Sequence, residues 1–291
     1  MLGQKHVDLA ARCLGSLVRF YNEPVEVIAH EDGSLTEEDQ ERFIACVPGA
    51  KFILKKDADG PMNEFMARYP ACRRLRDRLV FGLKIFDIQV LETSENLAYT
   101  DCDILFLRPF KSLFKMPPDP KAAGVFMYDP RQAYCLTPLQ LLMTPGLRLA
   151  DRLNGGLLYF RRSAFDWDRV ERFVSHDEFR IHPYWKEQSA WSMLAAETGC
   201  WMWSESQVRV ISVEEDLSGD DLTIAHFVSS SRFLIEQAPE YPDGLDPVSI
   251  RSEPGRLCTF PRYMQDAIQR KTRGAMRRLR SLGGEAPAKN L

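Results

Sequence analysis

Residues 96–107 read NLAYTDCDILFL, two short apolar runs interrupted by two acidic residues. The apolar runs predict strands, and residues two apart on a strand point to the same face, so Asp101 and Asp103 are expected to project together. Ligands of open α/β sheets collect at the carboxyl ends of strands. Two converging carboxylates repel each other unless a cation or a proton relieves them, and Mg²⁺ is typically shared between carboxylates and phosphates. The stretch therefore indicates a metal–diphosphate site, with a solvated acidic turn as the alternative.

The rest of the chain alternates between helical and strand patterns, which predicts an α/β sheet flanked by helices. Helices are predicted at 7–21, 36–48, 61–69, 73–91, 164–175 and 187–197, and strands at 25–30, 52–54, 96–107, 122–128, 153–160, 207–212 and 222–227. We assign residues 1–247 to one domain and residues 248–291 to a basic C-terminal extension. Sheets of this kind usually open with a strand, whereas here a helix begins within a few residues of Met1. The first strand is therefore expected to be missing, through truncation or a misplaced start codon.

The composition of the 291 residues, with 45% hydrophobic and 27% charged residues, is that of a globular protein. The seven cysteines are odd in number, widely spaced and without a C-x-x-C pair, which argues against a disulfide framework or a structural zinc site. No apolar run approaches the roughly 20 residues of a membrane span, and the N-terminus lacks the layout of a signal peptide. The sequence thus predicts a soluble, cytoplasmic protein.

The net charge of −3 is unevenly distributed, because residues 251–291 carry ten Lys and Arg against three acidic residues; this end is near +7 and the remainder near −10. An acidic body argues against nucleic-acid binding. Within 261–282 basic and apolar residues interleave, as they do in helices that rest on an anionic membrane surface. The basic end is expected either to contact the inner face of the membrane peripherally or to be a solvated tail. Its basic residues are Arg262, Arg270, Lys271, Arg273, Arg277, Arg278 and Arg280.

Four motifs, in this order, resemble those of the GT-A nucleotide-sugar glycosyltransferases, particularly the retaining glycogenin-like and lipopolysaccharide-transferase group. They are the strand ending in the D-x-D triplet 101–103, the N-G-G sequence 154–156, the E-Q pair 187–188, and the late His226 with Arg232 downstream. Together they cover roughly residues 7–239. The order of the motifs is more specific than any one of them.

The resemblance implies a GT-A fold, which is a Rossmann-like α/β architecture with a mixed central sheet, here with the first strand missing and a basic helical tail. It further implies that Asp101, Asp103 and His226 coordinate a divalent metal, commonly Mn²⁺, with Mg²⁺ as the other candidate. An imidazole beside two carboxylates suits Mn²⁺ chemically as well as it suits Zn²⁺. The alternative for His226 is a histidine packed at the end of a strand.

The resemblance also implies residues that surround the donor. Asn154 and Gly155 match positions around the donor sugar, and Glu187 or Gln188 would lie against the β face of that sugar. A carboxylate there could stabilise an oxocarbenium-like transition state or act as a nucleophile. The alternative is an ordinary polar first turn of a helix, where Glu is favoured.

Three further residues are donor-binding candidates. Arg232 would offset the charge of the departing diphosphate, although the longer signature that surrounds such a residue in the family is absent here. Lys84 lies on the predicted helix before the D-x-D strand, where a basic residue commonly faces the phosphates. Asp32 ends the first visible strand near the expected nucleoside. The alternatives are solvated charges for Arg232 and Lys84 and simple turn chemistry for Asp32.

The predicted function is a metal-dependent transfer of a sugar from a nucleoside diphosphate sugar, with UDP-sugars expected, to a saccharide, lipid-linked or protein acceptor. One alternative is a catalytically inactive sugar- or nucleotide-binding protein on the same fold, because fold alone does not establish activity. Another is a haloacid-dehalogenase-type phosphatase, whose opening strand resembles residues 25–35. That chemistry needs a nucleophilic aspartate where this chain has His30, so we set it aside.

Overall fold

The structure is a computed structural model that describes residues 1–282 apart from 180, 183, 240 and 243; the side chains of 229 and 273–282 also lie outside the described part. Its α-helices are α1 (Val7–Phe20), α2 (Glu37–Cys46), α3 (Lys55–Phe65), α4 (Pro70–Arg78), α5 (Val80–Leu91), α6 (Pro138–Met143), α7 (Trp167–Ser175), α8 (Trp185–Thr198) and α9 (Phe260–Leu282). Its strands are β1 (Ile28–His30), β2 (Lys51–Ile53), β3 (Asn96–Thr100), β4 (Ile104–Phe106), β5 (Phe110–Lys111), β6 (Gly124–Tyr128), β7 (Leu153–Arg161), β8 (Trp201–Trp203), β9 (Val208–Ile211), β10 (Ile224–Phe227), β11 (Val248–Ser249) and β12 (Ser252–Pro254). Short 3₁₀ helices include Gln4–His6 and Ser229–Gln237.

The central sheet has the strand order β12-β8-β6-β7-β3, in which β7 runs antiparallel to both β6 and β3, and β6 runs parallel to β8. A second sheet has the order β4-β10-β9, with β10 antiparallel to β4 and parallel to β9. The chain passes from the central sheet to the second sheet between β3 and β4. Residues 101–103 occupy that passage, so the acidic pair lies where the two sheets meet.

The strand β10 explains how His226 reaches the acidic pair from far along the chain. In the antiparallel register of β10 and β4, His226 lies opposite Ile104. The N–H of Phe227 donates to the carbonyl oxygen of Asp103 at 2.9 Å. Because both contacts fix the register next to the acidic passage, strand pairing places the imidazole beside the carboxylates.

The N-terminal residues run beside β1, which itself pairs in parallel with β2. Leu2 forms an isolated parallel bridge with Glu31, and its N–H donates to the carbonyl oxygen of His30 at 2.8 Å. Among the described strands, β1 pairs only with β2, and β3 pairs only with β7. A cavity of about 400 Å³ is lined by residues of both β1 and β3, with the helices α1 and α5 contributing Leu14, Leu17, Leu83 and Ile88.

The helices follow the sequence pattern in one place and depart from it in another. Thr36 caps α2 through a capping box with Asp39, at the start of the helix predicted over 36–48. The long helix predicted over 73–91 is instead two helices, α4 and α5, because Leu79 takes an extended conformation between them. Gly82 packs so closely on α4 that a Cβ atom there would lie 2.4 Å from the Cα of Arg76. This tight approach fixes the orientation of α5, which carries Lys84.

The C-terminal residues add to both the sheets and the helical layer. The predicted boundary at 247/248 falls directly before β11, which pairs with β5, and β12 pairs with β8 at the edge of the central sheet. The helix α9 packs against α6, and its buried Tyr263 donates from its hydroxyl to the carbonyl oxygen of Leu136. Within the described part of the chain, no helix combines the length and apolar character that crossing a bilayer requires.

Candidate functional site

Asp101, Asp103 and His226 come together at the junction of the two sheets. One potential ligand atom from each residue lies within 4.8 Å of the others, close enough for the three to share one metal ion. The Nε2 atom of His226 is 3.2 Å from Oδ1 of Asp103 and 3.8 Å from Oδ2 of Asp101. Asp103 and His226 are buried, and Asp101 is half-buried. Two carboxylates and an imidazole form a donor set that suits Mn²⁺, and the oxygens also suit Mg²⁺.

The charges in this cluster perturb one another. Burial alone would raise the pKa of Asp103, but the His226 imidazole and the Arg232 guanidinium hold it well below its usual range. Burial alone would lower the pKa of His226, but the carboxylate of Asp103 raises it. Arg232, in the 3₁₀ helix Ser229–Gln237, donates to Oδ2 of Asp103 from Nε at 2.9 Å and from Nη2 at 2.7 Å. The cluster therefore combines both signs of charge in a small volume.

Lys84 lies at the centre of the site rather than in solvent. Its Nζ atom donates to the carbonyl oxygen of Gly155 at 2.6 Å, and it is 3.1 Å from Oδ1 of Asp101 and 3.5 Å from Oε2 of Glu187. It also lies 4.5 Å from the centre of the Tyr99 ring. Burial alone would lower the pKa of Lys84, but the charges of Asp101 and Glu187 raise it. The buried ammonium group of Lys84 thus lies between Asp101, a candidate metal ligand, and Glu187, the candidate catalytic carboxylate.

Glu187 and Gln188 are both buried in the first turn of α8, so they do not form an ordinary solvated turn. Burial raises the pKa of Glu187 to about 7, although Lys84 acts in the opposite direction. The Oε1 atom of Glu187 has no hydrogen-bond partner, and a Cβ atom added to Gly155 would lie 2.9 Å from its Oε2. Gln188 accepts a hydrogen bond from the N–H of Gly155 at 3.0 Å.

Asn154 is held in place by a residue that the sequence analysis did not select. Its Nδ2 donates to Oδ2 of the buried Asp129 at 2.9 Å, and its Oδ1 accepts from the N–H of Gly156 at 2.8 Å. Gln188 also approaches Asp129, at 3.4 Å. Burial raises the pKa of Asp129. Asp129 comes directly after the apolar strand β6, as Asp101 comes directly after an apolar strand, so the same sequence signal could have predicted it.

Gly156 allows the strand β7 to pass close to His226. A Cβ atom at this position would lie 2.3 Å from Cε1 and 2.6 Å from Nδ1 of the imidazole. The N–H of Asp101 donates to the carbonyl oxygen of Gly156 at 2.7 Å. The same residue therefore touches two members of the cluster, which explains why a glycine stands here.

The side chain of Asp32 makes contacts within its own turn. Its carboxylate accepts hydrogen bonds from the N–H and the hydroxyl of Ser34, in a turn where Gly33 has a φ of +94°. These contacts are the turn chemistry expected as the alternative. His30, at the position where the phosphatase family needs its nucleophile, lies 3.1 Å from Oε1 of Glu92.

Solved structures of sugar transferases resemble this architecture, and two of them align as follows. Mouse xyloside xylosyltransferase 1 in its apo form aligns with a TM-score of 0.51 and 14% identity, covering 78% of this chain and 93% of that one. The galactosyltransferase LgtC in complex with donor and acceptor sugar analogues aligns with a TM-score of 0.50 and 11% identity, covering 82% of this chain and 94% of that one. No protein-family model matches the sequence, and no curated protein matches it. The likeness shows the fold: the mixed α/β GT-A architecture expected from the motifs is confirmed.

Proposed function

We propose that this chain, which has a GT-A fold, is a metal-dependent glycosyltransferase that moves a sugar from a nucleoside diphosphate sugar, a UDP-sugar in our prediction, to an acceptor. The observation that carries the proposal is the convergence of Asp101, Asp103 and His226 around one position, next to the buried pair Lys84 and Glu187. The two solved structures compared above are named as sugar transferases, and one of them holds donor and acceptor sugar analogues. A nucleotide-sugar donor is consistent with both.

A divalent cation, Mn²⁺ or Mg²⁺, would be held by Asp101, Asp103 and His226. The donor atoms fit, because two carboxylates and an imidazole nitrogen already lie within 4.8 Å of one another. When bound, the cation would offset the negative charge of the donor diphosphate. Arg232 contacts Asp103 directly, so a diphosphate beside the same cation would lie within its reach. Arg232 would stabilise the charge that develops when the diphosphate leaves.

The donor sugar would lie against the buried polar groups at the start of α8. Asn154 and Gly155 line this place from β7, and Gln188 and Asp129 hold that strand by hydrogen bonds. The Glu187 carboxylate has one oxygen without a partner, which leaves it able to stabilise an oxocarbenium-like transition state or to act as a nucleophile. Lys84 keeps that carboxylate charged at neutral pH better than burial alone would allow.

A donor screen by differential scanning fluorimetry in Mn²⁺ tests the proposal. A ligand present at a hundredfold its dissociation constant stabilises the native state by about 2.7 kcal/mol, so a UDP-sugar that binds should raise the melting temperature. Asp103→Ala should abolish the rise, whereas Asp77→Ala, at an exposed position on α4, should not change it. A full response of the Asp103→Ala variant would show that the assigned metal site is wrong.

Release of free nucleoside diphosphate, with and without Mn²⁺, separates a transferase from a binding protein on the same fold. A transferase releases the diphosphate in a metal-dependent way, whereas a catalytically inactive protein shows only the thermal response. The acceptor class, whether saccharide, lipid-linked or protein, stays a prediction. So do a cytoplasmic location, the contact of Asp32 with the nucleoside, and a peripheral membrane contact of the basic end.

A further inference from the structure

A polar cavity of about 380 Å³ lies at the edge of the central sheet, lined by residues of β6, β8, β12 and the start of α9. Its size falls within the range of roughly 300–1,000 Å³ that is typical of small-molecule sites. None of the residues assigned above to the metal or to the donor lines it, so it is a separate cavity. Its charged lining residues are Asp151, Arg152, Glu205, Glu253, Arg256 and Arg262.

Arg152 forms part of the cavity wall in a backbone conformation that is unusual for its residue type. Its φ of +52° lies in the left-handed region, which costs a non-glycine residue free energy and persists only where neighbours hold it. Its N–H donates to Oε1 of the buried Gln132 at 3.1 Å, and its guanidinium donates to the Tyr128 hydroxyl at 3.1 Å. Asp266, which also pairs with Arg270, lies 3.9 Å from the same guanidinium. Strained residues held in this way are found at ligand contacts.

The cavity adjoins the candidate site through β6 and β7. The N–H of Asp129 donates to the carbonyl oxygen of Arg152 at 2.6 Å, and the carboxylate of Asp129 accepts from Asn154. Tyr128 directly precedes Asp129, and Arg152 precedes Asn154 by two residues. An elongated ligand could therefore contact the donor site with one end and the cavity with the other.

The balance of charge in the cavity decides the kind of ligand. Three guanidinium groups and three carboxylates line it, so no net charge selects an anion or a cation. Arg262 pairs with Asp151 at 2.7 Å. The exposed Glu205, Glu253 and Arg256 have no ion-pair partner within the described part of the chain. Carboxylates only accept hydrogen bonds and guanidinium groups only donate them, so a ligand that satisfies both kinds must carry groups that do both, such as hydroxyls.

Apolar groups complete the lining, and they are contributed by Met202, Trp203 and Pro254. A sugar ring carries hydroxyl groups around its edge and C–H groups on its faces, so it matches both parts of the lining. A phosphate or a sugar acid would instead meet the unpaired carboxylates of Glu205 and Glu253, which would repel it. The cavity therefore favours a neutral sugar.

We propose that this cavity binds a neutral sugar unit of an oligosaccharide acceptor, away from the unit that receives the transferred sugar. The inference rests on the proposed transferase function, and it assigns the acceptor to saccharides of at least two units. Glu205 and Glu253 accept hydrogen bonds from the hydroxyls of that unit, and Arg256 donates to them. A contact so far from the reacting bond is made equally before and during the reaction, so it lowers KM for the acceptor and leaves kcat unchanged.

Calorimetric titration of the full chain, without a donor, tests the cavity directly. The neutral probes are lactose, maltose, maltotriose and cellotriose, and the anionic probe is glucose 6-phosphate. We expect at least one neutral probe to bind and to bind more tightly than glucose 6-phosphate. Glu205→Ala/Arg256→Ala should weaken its binding by about tenfold or more, because the loss of hydrogen bonds to charged groups has effects of this size. Glu253→Ala, on β12, is an independent second variant with the same expected direction.

The control Glu64→Ala/Arg74→Ala removes one exposed charge of each sign from α3 and α4, and it should bind the saccharides like the original chain. The melting temperature of each variant checks folding. In a transfer assay, Glu205→Ala/Arg256→Ala should raise KM for the bound saccharide by about tenfold or more at a similar kcat. A general loss of structure would lower kcat as well.

Absence of binding by every neutral probe, equal binding by the double variant and the original chain, or tighter binding of glucose 6-phosphate would overturn the proposal. The thermal response of the original chain to UDP-sugars in Mn²⁺ needs no acceptor and is measured separately. That response without saccharide binding would support the transferase and overturn the acceptor cavity. Saccharide binding without that response would refute the transferase and, with it, the role of the bound sugar as an acceptor.

Discussion

Replacing Glu187 by glutamine should make the stability of the protein less dependent on pH. The side chain of Glu187 is 3% exposed, and burial raises its pKa to about 7 from an ordinary 4.5. Because the folded pKa is raised, the contribution of this group to stability is fully present below pH 4.5 and is lost as the pH rises through about 7. A glutamine is neutral throughout, so it does not lose that contribution.

The size of the effect follows from the shift. Each unit of pKa difference between the folded and unfolded states corresponds to about 1.4 kcal/mol, so the raised pKa of Glu187 costs the original chain about 3 kcal/mol at most when the carboxylate is charged. The free energy of unfolding of Glu187→Gln, measured relative to the original chain, should therefore be up to about 3 kcal/mol higher at pH 8 than at pH 4.5. That gain corresponds to about 6 °C in melting temperature for a chain of this length.

Urea unfolding of the metal-free protein between pH 4.5 and 8.5, with a chelator present, measures the difference. Glu64→Gln, an exposed change at the end of α3, is the matched control and should show no such trend. If Glu187 is a catalytic group, the variant that gains stability should also lose sugar transfer. A stability difference between Glu187→Gln and the original chain that stays constant over this range would refute the reasoning.

Two further substitutions test the arrangement around β7 and α5. Gly156→Ala should displace the imidazole of His226, because the new Cβ would lie 2.3 Å from Cε1. Calorimetry should then find Mn²⁺ binding weakened by about tenfold or more. The control Gly60→Ala, at a position with open space around it, should bind Mn²⁺ normally. Lys84→Met should destabilise the protein at pH 8 by about 3 kcal/mol, since two carboxylates lose their counter-charge, and by less at pH 5, where Glu187 is protonated. Urea unfolding at the two pH values measures this loss, and an equal loss at both would contradict the assigned contacts.

The parts of the site that the sequence predicted are those that strand pairing controls. Asp101 and Asp103 follow an apolar strand, and His226 ends another, so both signals were local and readable. Their meeting depends on the pairing of β10 with β4, which the order of the motifs implied but the residues alone did not. The fold class could be predicted for the same reason, since alternating strand and helix patterns leave few architectures.

The parts that the sequence did not predict depend on burial from several sides. The helix α5 is buried along most of its length, so its pattern does not indicate which direction Lys84 faces. The break between α4 and α5 lies at the extended Leu79, and Gly82 then packs closely on Arg76, a contact between two helices that no local pattern encodes. The sequence analysis did not select Asp129, because a single acidic residue after a strand is common and its contacts with Asn154 and Gln188 depend on the fold.

The passage from β3 to β4 carries the chain out of one hydrogen-bonded sheet and into another, and the acidic pair stands on that passage. An ion shared by Asp101 and His226 would therefore act as a crosslink between two separately bonded layers. Local opening of either sheet would have to release the ion. Binding of the ion would therefore raise the free energy of that opening. Binding of the ion and the stability of the contact between the two sheets would then be thermodynamically linked.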